Sequence, residues 1–363
     1  MNSKNFFLMV VVLAVLAGIA VWQRKDSTSR HEKTPAESTL LAGADLNAID
    51  RIEVSDSSGA ATVVKKDGRW AVESLYDYPA DFSRLAGALR AAAEVKTGAP
   101  VRTKNVDAAE FGLNAGAKKI VLKTGDQTAA EIIVGARREA SSTAGWANQY
   151  FITKSGGDSV FLVDYDFRPF AGNSAEWMNK ELLRVQSGDV VAVKTGDVEL
   201  KEESGTWTLA GLDLEKEKLQ TSEANRMRSA MQYLNCTTVA DPAAEFSVDS
   251  EYTAKTKDGF TYTVKTGTEA DGGRLMQLAV EYVAPPAPAK PSGDDADQAA
   301  AFDRAESEYH LTVEANTHKA AELNARLSGW TYVVSTYSAD AFRLTRDKLV
   351  KEKEPAAAEN LAE

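Results

Sequence analysis

Residues 49–54 and 61–72 read Ile49-Asp50-Arg51-Ile52-Glu53-Val54 and Ala61-Thr62-Val63-Val64-Lys65-Lys66-Asp67-Gly68-Arg69-Trp70-Ala71-Val72. In the first run apolar and polar side chains alternate, as they must in a strand with one face buried and one wet. The second run is β-branched at Thr62, Val63 and Val64, turns at the dipeptide Asp67-Gly68, and is apolar again from Trp70. With the Ser57-Ser58-Gly59 turn between them, the two runs predict a three-stranded antiparallel meander.

Downstream, Pro79-Ala80-Asp81 opens an amphipathic helix over about 80–94, with Phe82, Leu85, Ala86, Leu89 and Ala93 recurring at three and four. Strands resume at Lys119-Ile120-Val121-Leu122, Glu131-Ile132-Ile133-Val134, Gln149-Tyr150-Phe151-Ile152 and Val160-Phe161-Leu162-Val163. One helix among many strands means α+β.

The same order recurs in the second half. Gly68-Arg69-Trp70 returns as Gly205-Thr206-Trp207, and Arg84 to Leu89 returns as Arg226 to Met231, placing a second helix at about 221–234. Ala108-Ala109-Glu110-Phe111 reappears unchanged as Ala243-Ala244-Glu245-Phe246. Ile120 to Gly125 matches Tyr262 to Gly267, and Tyr150 to Thr153 matches Tyr332 to Ser335. The expectation is two tandem diverged repeats, 46–183 and 184–347, each a mostly antiparallel sheet with one packed helix.

The second repeat carries an insertion over 284–327. Its lead, Ala284-Pro285-Pro286-Ala287-Pro288-Ala289-Lys290-Pro291, is stiff polyproline-like chain. A helix follows from about Ala296 to Leu327, with Phe302, Tyr309, Val313, Asn316, Ala320, Leu323 and Leu327 on one stripe. The tail, 348–363, is charged and Ala-rich and is expected to be disordered.

At the other end, Phe6 to Trp22 carries no charge. As a helix it spans roughly 26 Å, the short end of bilayer length, with Trp22, Arg24 and Lys25 placed for an interface. Residues 1–25 are expected to be an N-terminal transmembrane anchor. A cleaved signal peptide, with Gly18-Ile19-Ala20 at the cleavage site, is the alternative. Cations on both flanks leave the orientation open on charge alone. Residues 26–45 are polar and are expected to be a flexible tether.

The net charge of −11 over 363 residues, with no basic cluster, argues against nucleic acid. A single cysteine, Cys236, precludes an internal disulfide, and the three histidines, His31, His310 and His318, are scattered. Glu306, His310, Glu314 and His318 do fall four apart on the inserted helix, a spacing that offers carboxylate and imidazole ligands. That strip lies off the apolar stripe, so it reads as a solvated face with i,i+4 pairing.

Three Lys-Thr-Gly triplets, at 123–125, 194–196 and 265–267, match the third motif of serine β-lactamases. The required Ser-x-x-Lys is nowhere in the chain, so the triplets read as strand ends. Asp164-Tyr165-Asp166 and Asp294-Asp295 supply carboxylates without a partner fixed by sequence. Trp70 and Trp207 read as core or helix-packing anchors, and Trp146 and Trp330 likewise. The reading assigns no catalytic, cofactor-binding or metal-binding residue and no cofactor, so an enzyme is not expected.

Ile49-Asp50, Asp67 to Trp70, Tyr78 to Asp81, Phe111-Gly112-Leu113, Val121 to Gly125, Ile132 to Gly135 and Tyr150 to Ile152 resemble, in that order, the bacterial DUF4340 family. Over 46–165 the match is good; over the second repeat it is loose, with Ser247-Val248 in place of Gly-Leu and the glycine after the "IIV" strand missing. The resemblance implies an envelope protein in the cytoplasmic membrane, its soluble part outside, associated with an ABC-type transporter and its gliding-motility-like auxiliary subunit. It implies no catalytic residues. The expected partners are the bilayer, through the N-terminal helix, and a protein of a membrane transport complex; the alternative is an envelope binding module for a glycan or small molecule, sited between the repeats.

Overall fold

A computed structural model of the chain describes residues 38–104, 106–138, 149–154, 157–270, 272–291 and 296–353. The expected anchor at 1–25, Trp146, Asp294-Asp295 and the end of the tail lie outside the described residues. No helix among the described residues is long and apolar enough to cross a membrane. The chain is α+β, built on two mostly antiparallel sheets with few helices.

The strands of the first half are β1 (Arg51–Asp56), β2 (Gly59–Lys66), β3 (Arg69–Val72) and β4 (Tyr78–Pro79), then β5 (Lys118–Thr124), β6 (Gln127–Arg137), β7 (Gln149–Lys154) and β8 (Val160–Asp164). They bond in the order β4-β3-β2-β1-β5-β6-β7-β8. Alternation decides the register: Ile52 faces Val63 on one side and Leu122 on the other, and all three are buried.

Helix α1 (Phe82–Glu94) turns Leu85, Ala88, Leu89 and Ala92 inward. The buried face is thus shifted from the expected one, and Phe82 is 61% exposed. Phe82 is the first helical residue, ahead of the buried positions.

The chain is already folded from Ser38, which shortens the tether expected to reach residue 45. Leu40 and Leu41 are buried, and Leu40 N donates to Val95 O at 2.7 Å. Two adjacent leucines are too short a run to show a period, so the sequence reading passed over them.

The second half contains β9 (Glu181–Leu183), β10 (Val190–Thr195), β11 (Val198–Glu203), β12 (Thr206–Leu209), β13 (Glu217–Leu219) and α2 (Thr221–Arg228). After these come β14 (Leu234–Asn235), β15 (Thr238–Val239), β16 (Val248–Thr256), β17 (Phe260–Ala270), β18 (Gly273–Tyr282) and α3 (Ala296–Leu327). The chain ends on β19 (Tyr332–Val334), α4 (Thr336–Asp340), α5 (Arg346–Leu349) and β20 (Val350–Glu352). The large sheet runs β12-β11-β10-β16-β17-β18-β19-β15. Two small sheets pair β13 with β20 and β14 with β9.

The order of this sheet matches the first when β10, β11 and β12 stand for β1, β2 and β3, and β16 to β19 stand for β5 to β8. At one edge Arg102 bridges Val160 where β15 pairs with β19; at the other, β4 has no counterpart beyond β12. Trp70 and Trp207 both fall on the third strand, ahead of the helix. Two of the expected matches do not hold equivalent places. Ile120 to Gly125 lies in β5 and its turn, whereas Tyr262 to Gly267 lies within β17; Tyr150 to Thr153 is in β7, whereas Tyr332 to Val334 forms β19. The triplet Lys-Thr-Gly is a common strand composition, so it misleads about register. By strand order Gly267 answers to Gly135, the glycine expected to be missing.

Neither Trp70 nor Trp207 is fully buried. Trp207 instead lies under the Arg228 guanidinium of α2, 5.5 Å from the ring centre. Among the described residues the fully buried tryptophan is Trp177, 1% exposed, with Nε1 donating to Ala171 O at 2.7 Å.

Helix α3 has the expected bounds. Its C-terminal part packs on β18, burying Ala320 and Leu327. Arg326 donates to the carbonyls of Glu181 and Leu182, at 2.8 Å each. Tyr309 Oη reaches back to Pro285 O at 2.9 Å, while Leu311 is 69% exposed. The tail expected from 348 begins folded: Leu349 is buried and β20 pairs in register with β13.

Two compact units result. One comprises Phe82–Trp177 with the chain up to Trp70, and the other Ala71–Asp81 with the chain from Met178 onward. Within the second, Tyr78 is buried, donates to Asn179 O at 3.2 Å, and meets the rings of Trp330 and Tyr332 edge-on at 4.9 and 6.3 Å.

Candidate functional site

The first unit holds an open cleft of about 510 Å³. Its floor forms where two backbone segments cross. Phe111 O accepts a hydrogen bond from Ala136 N at 2.7 Å, which lays the Phe111-Gly112-Leu113 loop over Gly135 of β6. A Cβ on Gly135 would stand 2.2 Å from Phe111 O, and one on Gly112 would stand 2.7 Å from Ala136 N. Only glycines permit so close an approach. At the crossing β6 is bulged between Val134 and Arg137, which bends the strand beside the cleft.

Asp56, at the end of β1, and Lys118, at the start of β5, line the cleft together. Lys118 Nζ is 3.4 Å from Asp56 Oδ2, donates to Phe167 O at 3.1 Å, and also donates to Phe170 O. Two of its protons are thus taken by carbonyls, and its charge is paired with that of Asp56. Burial, the largest influence on Asp56, would push its carboxyl up. Hydrogen bonds from the Ser58 hydroxyl (2.5 Å), Ser58 N (2.8 Å) and Gly172 N (3.0 Å), with the Lys118 charge, outweigh it and pull the pKa down to about 2. An acid so firmly ionised is a poor proton donor near neutral pH. The pair pins the loop after β8 to the sheet.

Tyr150, Phe167 and Arg168 form the opposite wall. Tyr150 meets Phe167 edge-on at 5.7 Å, and Tyr165 meets Phe167 at 4.9 Å. Of the acidic pair flanking Tyr165, Asp166 is held below the carboxylate range chiefly by its hydrogen bond with Arg168. Tyr165 Oη donates to Ala88 O at 3.2 Å, and burial, aided by Asp166, pushes it up to about 12.

Elsewhere the candidate residues stay apart. Glu306, His310, Glu314 and His318 line the exposed face of α3, where His318 Nδ1 lies 3.6 Å from Glu322. No group of three or more His, Cys, Asp or Glu is placed to hold a metal among the described residues. The first two Lys-Thr-Gly triplets end β5 and β10, as expected, but the third lies inside β17. Burial pushes the Cys236 thiol up to about 12, away from the nucleophilic thiolate. The cleft itself was not read from the sequence. Its signal was two glycines, Gly112 and Gly135, each quoted as a motif and not as partners.

No curated protein and no solved structure matches the chain. The family model described as "Domain of unknown function (DUF4340)" matches residues 70–257, just over half of the chain, including the loop crossing and most of the cleft. Expected from its ordered motifs and now shown by that match, the chain belongs to the DUF4340 family.

Proposed function

We propose that the protein is a non-enzymatic, membrane-tethered scaffold, an accessory part of a membrane transport complex that acts through protein contacts. Helix α3 carries this reading. At 32 residues it extends about 48 Å, yet only its C-terminal part is fixed to β18. The turns before Tyr309 carry mostly exposed side chains, and the Pro285–Pro291 lead gives them reach. The uncharged run at 6–22 would serve as the anchor, in the cytoplasmic membrane with the units outside, raising the local concentration of α3 near a membrane partner.

The two units are read as descendants of one duplicated unit. Supporting this, seven strands match in order, and each Ala-Ala-Glu-Phe loop crosses a glycine on a matching strand, β6 or β17. A Cβ on Gly267 would stand 2.8 Å from the Phe246 ring and 2.9 Å from Ser247 O, as one on Gly135 would meet Phe111.

The test replaces residues 296–308 by a short Gly-Ser segment in the native membrane. The expected result is an unchanged unfolding midpoint with loss of a cross-link between position 311 and a transport-complex subunit. An unchanged cross-link, or a fall in the midpoint, would overturn the reading.

A further inference from the structure

Charged groups in the cleft of the first unit are occupied with one another, and uncharged ones are not. Asp56 and Lys118 neutralise each other and are hydrogen-bonded as described, and Arg168 holds Asp166 at 2.6 Å. Ser57, Asn114 and Tyr150 line the same space, and none of their side-chain polar groups has a hydrogen-bond partner among the described residues. Tyr150 is half-buried and kept in place by the edge contact with Phe167.

The geometry points to a binding site for an uncharged, hydroxyl-rich ligand, a neutral saccharide, in the cleft formed by Ser57, Asn114 and Tyr150. A hydroxyl and a carboxamide each both donate and accept, as sugar hydroxyls do, so the three groups match that chemistry without a net charge. An anion would meet cations already paired, Lys118 with Asp56 and Arg168 with Asp166. A cation would find Asp56 already saturated. An apolar ligand would strip water from three polar groups and give nothing back. The volume of about 510 Å³ falls in the range of small-molecule sites. This goes beyond the scaffold reading and does not depend on α3.

The test uses the full chain in a detergent without a sugar headgroup and three probes: maltotriose, chitotriose and the anionic trigalacturonate. Saturation-transfer NMR and calorimetry should show saturable binding of at least one neutral trisaccharide. Asn114→Ala and Tyr150→Phe should each weaken it about fivefold to tenfold, the loss of one hydrogen bond. Leu214→Ala, in the second unit, should leave it unchanged. Asn114 is exposed, so folding is expected to survive, and the unfolding midpoint checks it; Ser57→Ala replaces any variant that fails. Absence of saturable binding by both neutral probes overturns the proposal, as does binding that survives the Asn114 and Tyr150 changes together. Preference for trigalacturonate would overturn it too.

Discussion

The side-chain amide of Asn324 pairs with both backbone polar groups of Val280: Oδ1 accepts from Val280 N at 2.9 Å, and Nδ2 donates to Val280 O. Strand β19 pairs with β18 only over Arg274–Met276, so the rest of that edge would stand open without α3. One side chain here does the work of a strand residue and blunts an edge. Asn324→Leu should cost about 1–3 kcal/mol by leaving a part-buried donor and acceptor unpaired. Hydrogen exchange at the Val280 amide should accelerate; an unchanged rate would contradict the pairing.

Asp56 predicts an acid-side loss of stability in the first unit. Its pKa is lowered from an ordinary 3.8 to about 2, so the group favours the folded state above the unfolded value and ceases to do so as pH falls through about 2. The shift corresponds to about 2 kcal/mol. Asp56→Asn should be less stable than the parent at neutral pH, and the gap should close between about pH 4 and pH 2. Melting curves across that window check it, and a gap that widens toward acid would refute the assignment.

The backbone crossing predicts intolerance at Gly135. Gly135→Ala sets a methyl 2.2 Å from Phe111 O, against backbone that cannot rotate away. A loss of about 1–3 kcal/mol is expected, as for overpacking. Exchange protection should fall at Ala136, whose N–H bonds Phe111 O. An alanine variant as stable as the parent would mean that the loop is free to lift.

Burial separates the tryptophans. Trp177→Ala should cost about 3–5 kcal/mol, as for a large core residue emptied of its ring. Trp70→Ala and Trp207→Ala, both half-buried, should cost less. Denaturant unfolding of the three variants ranks them, and a larger loss at Trp70 would reverse the account.

The strands were legible because alternation and Asp-Gly turns are local properties, and α3 because a long stripe leaves little doubt about its period. Register was not legible. Lys265-Thr266-Gly267 resembles Lys123-Thr124-Gly125 in letters, yet one lies within a strand and the other at a turn, and only the neighbouring strands distinguish them. The α1 face differs from the expected one at Phe82 because periodicity does not say where along a helix burial begins. The cleft was hidden for a related reason. It depends on Phe111 crossing Gly135, a meeting of residues far apart in the chain, and no short-range pattern announces that.

Residues Ala71–Asp81 interrupt the first unit in the chain but belong to the second, where Tyr78 fills a place among Trp330, Tyr332 and Asn179. A gene cut between the codons for 177 and 178 would therefore not free a complete second unit, because its buried tyrosine would go with the other fragment. Nor could a crossover at that point import a foreign second unit without also supplying a compatible segment upstream. The two units are in this sense a single heritable piece, which evolution can copy or discard whole but cannot readily shuffle by halves.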